Sequence, residues 1–163
     1  MEIEWGIRMG REAEVVSGFR DLFNKLSWLN KIEMEEQLKD YKSSEVHYIE
    51  YIGSHLETNV TKLAEAFYMT RGAMSKMTKK LMERGVIESY QNPENRKEIY
   101  FRLTAKGREV FEVHEHLHQK FQERDRAVFN TVTDAQFENV LNFLEKYSKH
   151  LDHEIKKLES KVK

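Results

Sequence analysis

The chain has 163 residues, 39% of them hydrophobic and 34% charged, with a single proline, which predicts one soluble, helix-rich domain over residues 1–163. Cysteine is absent, so disulfides, thiolate metal clusters and cysteine nucleophiles are excluded, and any metal must be held by nitrogen and oxygen. The net charge of −1 conceals an asymmetry: residues 70–106 hold nine Lys/Arg against four Glu, while the remainder holds 18 basic and 24 acidic residues.

Residues 11–39 carry apolar side chains at helical spacing (Val15, Phe19, Leu22, Phe23, Leu26, Leu29 and Ile32) and predict a long first helix. "EVHYIEYI" predicts a second helix, capped by Ser43 or Ser44 and ended by Gly53. "NVTKLAEAFYM" is a short helix burying Leu63, Ala64 and Phe67. After the tight "MTRG" connection, Thr70 is placed to cap a further helix that stops at Gly85. Met74, Met77 and Leu81 share one face of that helix, and Gly72, Ser75, Lys76 and Lys79 the other. Two short helices around a small-residue turn, the second polar and basic, describe a helix-turn-helix.

"VIESYQ" and "EIYFRLT" are rich in β-branched and aromatic residues, and "NPENRK" between them supplies turn signals. They predict a hairpin with Asn95, Arg96 and Lys97 near its tip. Helix resumes at Thr104 and lasts to about Asn130. A last helix, capped by Thr133 or Asp134, reaches roughly Leu158. The fold class is therefore mainly α with a small β-hairpin wing. No apolar run approaches the roughly 20 residues that span a bilayer. The N-terminus has no basic-then-apolar signal pattern, so the cytoplasm is the expected compartment. No nucleophile elbow, phosphate-binding glycine loop, HExxH or paired-acid constellation occurs, which argues against an enzyme.

A helix-turn-helix followed by a hairpin and flanked by long helices resembles the MarR family of transcription regulators. The resemblance rests on "LAEAFYMTRGAMSKMTKKLMERGVIES" and "NPENRKEIYFRLTAKG" and covers nearly the whole chain. Arg96, Leu103, Thr104 and Gly107 match the family's wing signature, whereas Asn95 stands where an acidic residue is usual. The resemblance implies a winged-helix DNA-binding lobe over residues 43–103 and dimerisation helices at 11–39 and 104–160. It further implies a homodimer on double-stranded DNA with a pseudo-palindromic operator. Phe111, Val113, Leu117, Phe121, Val128, Phe129, Phe137, Val140, Leu141, Leu144, Leu151 and Ile155 are candidates for the shared dimer core or, alternatively, for an intramolecular bundle.

On this reading Ser75, Lys76 and Lys79 face the major groove, Gly72 allows a close backbone approach, and Thr70 and Arg71 lie near phosphate. The wing arginine of the family enters the adjacent minor groove, so Arg96 inherits that role beside Asn95, with Lys97 on phosphate. Lys80 and Arg84 read equally well as solvated helix charges.

"VHEHLHQKF" brings three histidines to alternate positions at residues 113–121. On a helix His114 and His118 share a face, while His116 points about 200° away from His114. Zinc-sensing MarR repressors are similar to this chain at that pair and at a histidine early in the second helix, here His47. The resemblance implies zinc held by His47, His114, His118 and a carboxylate, with Glu33 first and Glu36 or Glu45 as alternatives. A small apolar or phenolic effector lined by Trp28, Tyr48, Tyr51 and Phe67 competes with zinc, a histidine pH switch is third, and a protein-binding winged helix without DNA is a separate rival.

Overall fold

The computed structural model describes residues 10–161. The elements in chain order are α1 (Arg11–Gln37), α2 (Ser43–Ser54), α3 (Val60–Ala66), α4 (Arg71–Glu83), β1 (Ile87–Asn92), β2 (Asn95–Leu103), α5 (Ala105–Phe129) and α6 (Asp134–Lys161). The chain divides into two compact units at Lys120/Phe121, within α5. Mainly helical, with one two-stranded antiparallel hairpin, it has the expected fold class.

In the first unit, Ile49 of α2, Leu63 of α3, Met74 and Leu81 of α4 and Val86 are fully enclosed and form the core of the helix-turn-helix. Burying five such side chains supplies roughly 1.5–3 kcal/mol each for the larger ones. Asn59 caps α3 by accepting from the Lys62 amide, and Thr70 caps α4 by accepting from Ala73. The turn between them contains Tyr68 at φ +52, a left-handed conformation taken without glycine. The expected small-residue turn thus has its sharpest bend at a tyrosine, one position before the "MTRG" segment.

Gly85 ends α4 as its place predicts, at φ +71, with the Val86 amide donating back to the Leu81 carbonyl. The hairpin starts at once, with Ile87 opposite Leu103, and closes through a two-residue turn at Pro93 and Glu94. The Asn92 side chain accepts from the Glu94 amide and holds that turn. Asn95, Arg96 and Lys97 lie in β2 itself instead of in the turn, so the strand begins earlier than the residue pattern indicates. Beyond the hairpin, Phe101 donates its amide to the Thr58 carbonyl and forms a bridge with the loop between α2 and α3.

The "LT..G" segment is a latch. Thr104 Oγ1 donates to the Gly85 carbonyl and accepts from the Gly107 amide, while the Thr104 amide donates to the Val86 carbonyl. One hydroxyl therefore caps α5 and ties it to the end of α4. Gly107 is required because a Cβ there would overlap the Val86 carbonyl oxygen.

Two expected boundaries differ. Lys42, not Ser43 or Ser44, is the N-cap of α2, and its amide donates to the Glu45 carboxylate. Gly53 lies inside α2, where a Cβ would meet the Phe111 and Leu103 side chains at 2.6 and 2.8 Å, so its role is close packing. At the start of α6, Thr133 and Gln136 exchange hydrogen bonds in a capping box.

Two helices leave their apolar faces open. Among the described residues none in α1 is buried, and Val16, Leu22, Phe23, Trp28 and Ile32 are each about half exposed or more. In the second unit, Val140, Leu141, Phe143, Leu144 and Leu151 of α6 are likewise exposed. Of the candidate shared-core residues in α5, Leu117 and Phe121 are buried, whereas Val128 and Phe129 are exposed.

Candidate DNA interface and metal cluster

The outward face of α4 carries the expected residues. Thr70, Arg71, Gly72, Ser75, Lys76 and Lys79 are all exposed, whereas Met74, Thr78 and Leu81 are buried on the opposite side. Asn95, Arg96 and Lys97 are exposed on the wing. Among the described residues no ion pair engages Arg71, Lys76, Lys79, Arg96 or Lys97. Their charge is thus available to a polyanion. Asn95 accepts from the Lys97 amide and lies 3.5 Å from the Tyr100 hydroxyl, contacts that shape the start of β2.

Lys80 and Arg84 have a different task. Both converge on Glu45 of α2, Lys80 at 2.6 Å and Arg84 at 2.8 Å, and the Glu45 side chain is 1% exposed. Arg84 also donates to the Asp40 carbonyl and stacks over the Tyr41 ring at 4.2 Å. Burial raises the Glu45 pKa, but the hydrogen bonds from Lys80 and the Lys42 amide and the charges of Arg84 and Lys80 outweigh it and leave the group below its ordinary value. This network fixes the C-terminal half of α4 to the start of α2, so these two cations hold the helix that Lys76 and Lys79 decorate. Beyond its local contact with the Lys42 amide, nothing in the sequence marks Glu45 for this network, because Lys80 and Arg84 lie 35 and 39 residues away.

The wing is also tied along its length, at Glu98 and, beside the turn, at Asn92. Asn59 donates to Glu98, Asn92 donates to Glu57, and Arg102 pairs with Glu88 at 2.7 Å across the hairpin. Glu57 sits at φ +52, a second left-handed position on a residue other than glycine.

Of the three predicted imidazoles, His114 and His118 meet nitrogen to nitrogen, while His47 stands only at ring distance from His114. His114 of α5 is fully buried, its Nε2 lies 3.1 Å from His118 Nε2, and its ring centroid is 5.9 Å from that of His47 on α2. The 3.1 Å contact joins the i and i+4 nitrogens of one helix face. Burial, then the charges of His118 and His47, push the His114 pKa down to about 4, so this imidazole is neutral at pH 7, the form that binds metal. His114 Nδ1 is buried with no hydrogen-bond partner, an orphan of the kind a ligand relieves.

Glu33 does not meet these rings as an unengaged carboxylate: it forms an ion pair with Lys120 at 2.6 Å. Glu45 is committed to Lys80 and Arg84. The carboxylates that approach His114 belong instead to Glu50 and Glu115, whose ligand oxygens lie with a His114 nitrogen in a group spanning no more than 4.8 Å. Sequence reasoning missed both, although Glu50 follows His47 by three positions and so shares its helix face. Of the residues expected to line a phenolic pocket, Tyr48 and Tyr51 each meet Phe67 edge-on, at 4.6 and 5.6 Å, and Trp28 is 67% exposed.

Residues 42–99 match the MarR family. The HTH-type transcriptional regulator PchR of Bacillus subtilis is 34% identical over 109 residues, which cover 67% of this chain and 64% of PchR. The uncharacterized HTH-type transcriptional regulator YhjH of the same organism is 31% identical over 109 residues, 66% of this chain and 62% of that protein. The chain thus spans less than two thirds of the length of these two relatives. Among solved structures, Streptococcus pneumoniae FabT in complex with DNA superimposes with a TM-score of 0.72 at 18% identity, covering 86% of this chain and 96% of FabT. The S. aureus MepR–DNA complex gives 0.68 at 16% identity, covering 90% and 99%. At such identities the likeness is one of fold. The helix-turn-helix, its wing and these relatives together make residues 42–99 a winged helix-turn-helix lobe of the MarR family.

Proposed function

We propose that the protein is a DNA-binding transcription regulator that acts as a homodimer on a pseudo-palindromic operator. The observation that carries this reading is the set of unpaired cations on α4 and the wing, Arg71, Lys76, Lys79, Arg96 and Lys97, all exposed on the winged helix. The relatives support it, being named HTH-type transcriptional regulators rather than enzymes. A second copy is the natural cover for α1, whose apolar residues lie exposed along 27 residues. Two lobes then meet two half-sites about one helical turn apart. Cations exposed together on a helix-turn-helix and its wing favour a regularly charged polyanion over a protein partner.

Arg96→Ala and Lys76→Ala are each expected to weaken operator binding by about 5- to 150-fold, the loss of about 1–3 kcal/mol for a base contact, with the thermal midpoint unchanged. Unchanged affinity in both variants at fixed salt overturns the placement. A phosphate role for Lys97 predicts a smaller loss with a flatter salt dependence.

The effector that best fits the site is a divalent metal, with zinc first, held around His47, His114 and His118. Its support is the buried, unpartnered His114 nitrogen beside the His118 ring. When bound, such an ion acts as a Lewis acid that joins side chains of α2 and α5. What the chain contributes is a neutral imidazole already facing its neighbour, so the donors are assembled without prior proton loss from His114. Because α2 also carries Glu45, fixing α2 against α5 bears on how firmly α4 is held. Zinc titrated into metal-free protein is expected to bind with sub-micromolar affinity and to change operator affinity. Binding weaker than about micromolar removes zinc as effector and leaves the DNA-binding reading intact.

A further inference from the structure

Around His114 stand two carboxylates, and they fit a cation better than they fit each other. Glu50 is half-buried on α2, Glu115 follows His114 on α5, and their oxygens lie within 4.8 Å of each other and of a His114 nitrogen. Among the described residues neither carboxylate has a hydrogen-bond or ion-pair partner. Two anions at that separation repel unless positive charge stands between them. His114 adds the independent sign: it is completely buried, and its Nδ1 lacks any partner. Sequence pattern does not produce this set, since Glu50 and Glu115 come from separate helices and only the packing of α2 on α5 brings them to one imidazole.

We propose that Glu50, His114 and Glu115 bind a first-row divalent cation, the two carboxylates supplying the oxygen ligands that Glu33 does not. The inference rests on the metal reading of this cluster and deepens it by changing the ligand set. Two carboxylates balance the charge of a divalent ion, and with one neutral imidazole they form a mixed oxygen–nitrogen site suited to zinc, manganese or iron(II) rather than to a soft ion. Such a site joins α2 to α5 through Glu50 itself. Glu45, five residues earlier on α2, already holds Lys80 and Arg84 of α4. The ion therefore fixes the helix to which the DNA-facing helix is fastened.

The test is calorimetric titration of zinc chloride, and separately manganese chloride, into the metal-free full chain. It compares the wild type with Glu50→Gln/Glu115→Gln, His114→Ala, His47→Ala/His118→Ala and Glu33→Gln, with thermal melting of each metal-free protein as the fold control. The double carboxamide variant is expected to lose at least tenfold in affinity, and Glu33→Gln to match the wild type. Unchanged affinity in the double variant, with loss in His114→Ala, overturns this ligand set and leaves the imidazole reading standing. No binding in the wild type overturns both. Loss in the double variant with full affinity retained in His47→Ala/His118→Ala supports the carboxylate site and removes the imidazole cluster. If the double variant melts early, Glu115→Gln alone carries the comparison, because Glu115 lies on the outward part of α5 and its amide form preserves shape.

Discussion

Replacing Gly107 by alanine is expected to cost about 3 kcal/mol, near the upper end for forcing extra volume into a packed site. The added Cβ would overlap the Val86 carbonyl oxygen, which is backbone and already accepts from the Thr104 amide. Relief requires α5 to move away from the start of the hairpin, and that movement breaks the Thr104 bridge to Gly85 as well. In a chain of this size the change lowers the melting midpoint by roughly 6–12 °C. Chemical or thermal denaturation of the variant checks it, and a midpoint within 2 °C of wild type would mean that the close approach is not needed. Gly72→Ala is the matched control: nothing lies within 4 Å of its added Cβ, and alanine favours a helix interior, so stability there should hold or rise.

Glu45→Ala is the second large effect. Deleting a buried carboxylate that holds two cations costs about 3–5 kcal/mol when all partners are buried. Lys80 and Arg84 retain 46% and 27% exposure, so water re-solvates them and the expected cost falls to about 2 kcal/mol. Operator binding should weaken further than stability alone dictates, because the C-terminal half of α4 loses its anchor to α2. Acid acts on the same contact. The folded pKa of Glu45 lies below its ordinary value of 4.5, so its contribution is complete above that value and disappears as pH falls through the lowered one. Wild type should therefore lose more stability than Glu45→Ala between about pH 5 and pH 3. Parallel pH–stability curves for the two proteins would overturn the account.

Local chemistry explains why much of the fold is legible from residues alone. Thr70 and Gly85 bound α4 because a hydroxyl cap and a left-handed stop act within one turn of the chain. The wing follows from alternating β-branched and aromatic residues, and "LT..G" from a hydroxyl and a glycine three positions apart. The pairing of His114 with His118 is also local, being one turn of helix. Glu45, Glu50 and Glu115 are not legible in that way. A glutamate on a charged helix looks solvated until distant elements arrive, and their arrival depends on the packing of α2 against α4 and α5. Tyr68 illustrates the reverse failure: the sharp turn exists, but the residue adopting φ +52 is not the type that advertises it. Glu33 shows a third limit, since helical spacing permits it to face the cluster while the Lys120 ammonium has claimed it.

Once the exposed Asn59–Glu98 and Asn92–Glu57 hydrogen bonds yield, the bridge between Thr58 and Phe101 becomes the fulcrum about which the wing turns. Arg96 lies five residues beyond that point along β2, a span of about 16 Å at the usual strand rise. A rotation of about 5° at the fulcrum would carry the arginine about 1.4 Å, half the length of a hydrogen bond. If the wing reads a groove as proposed, a tilt too small to disturb the core would carry Arg96 out of register with it.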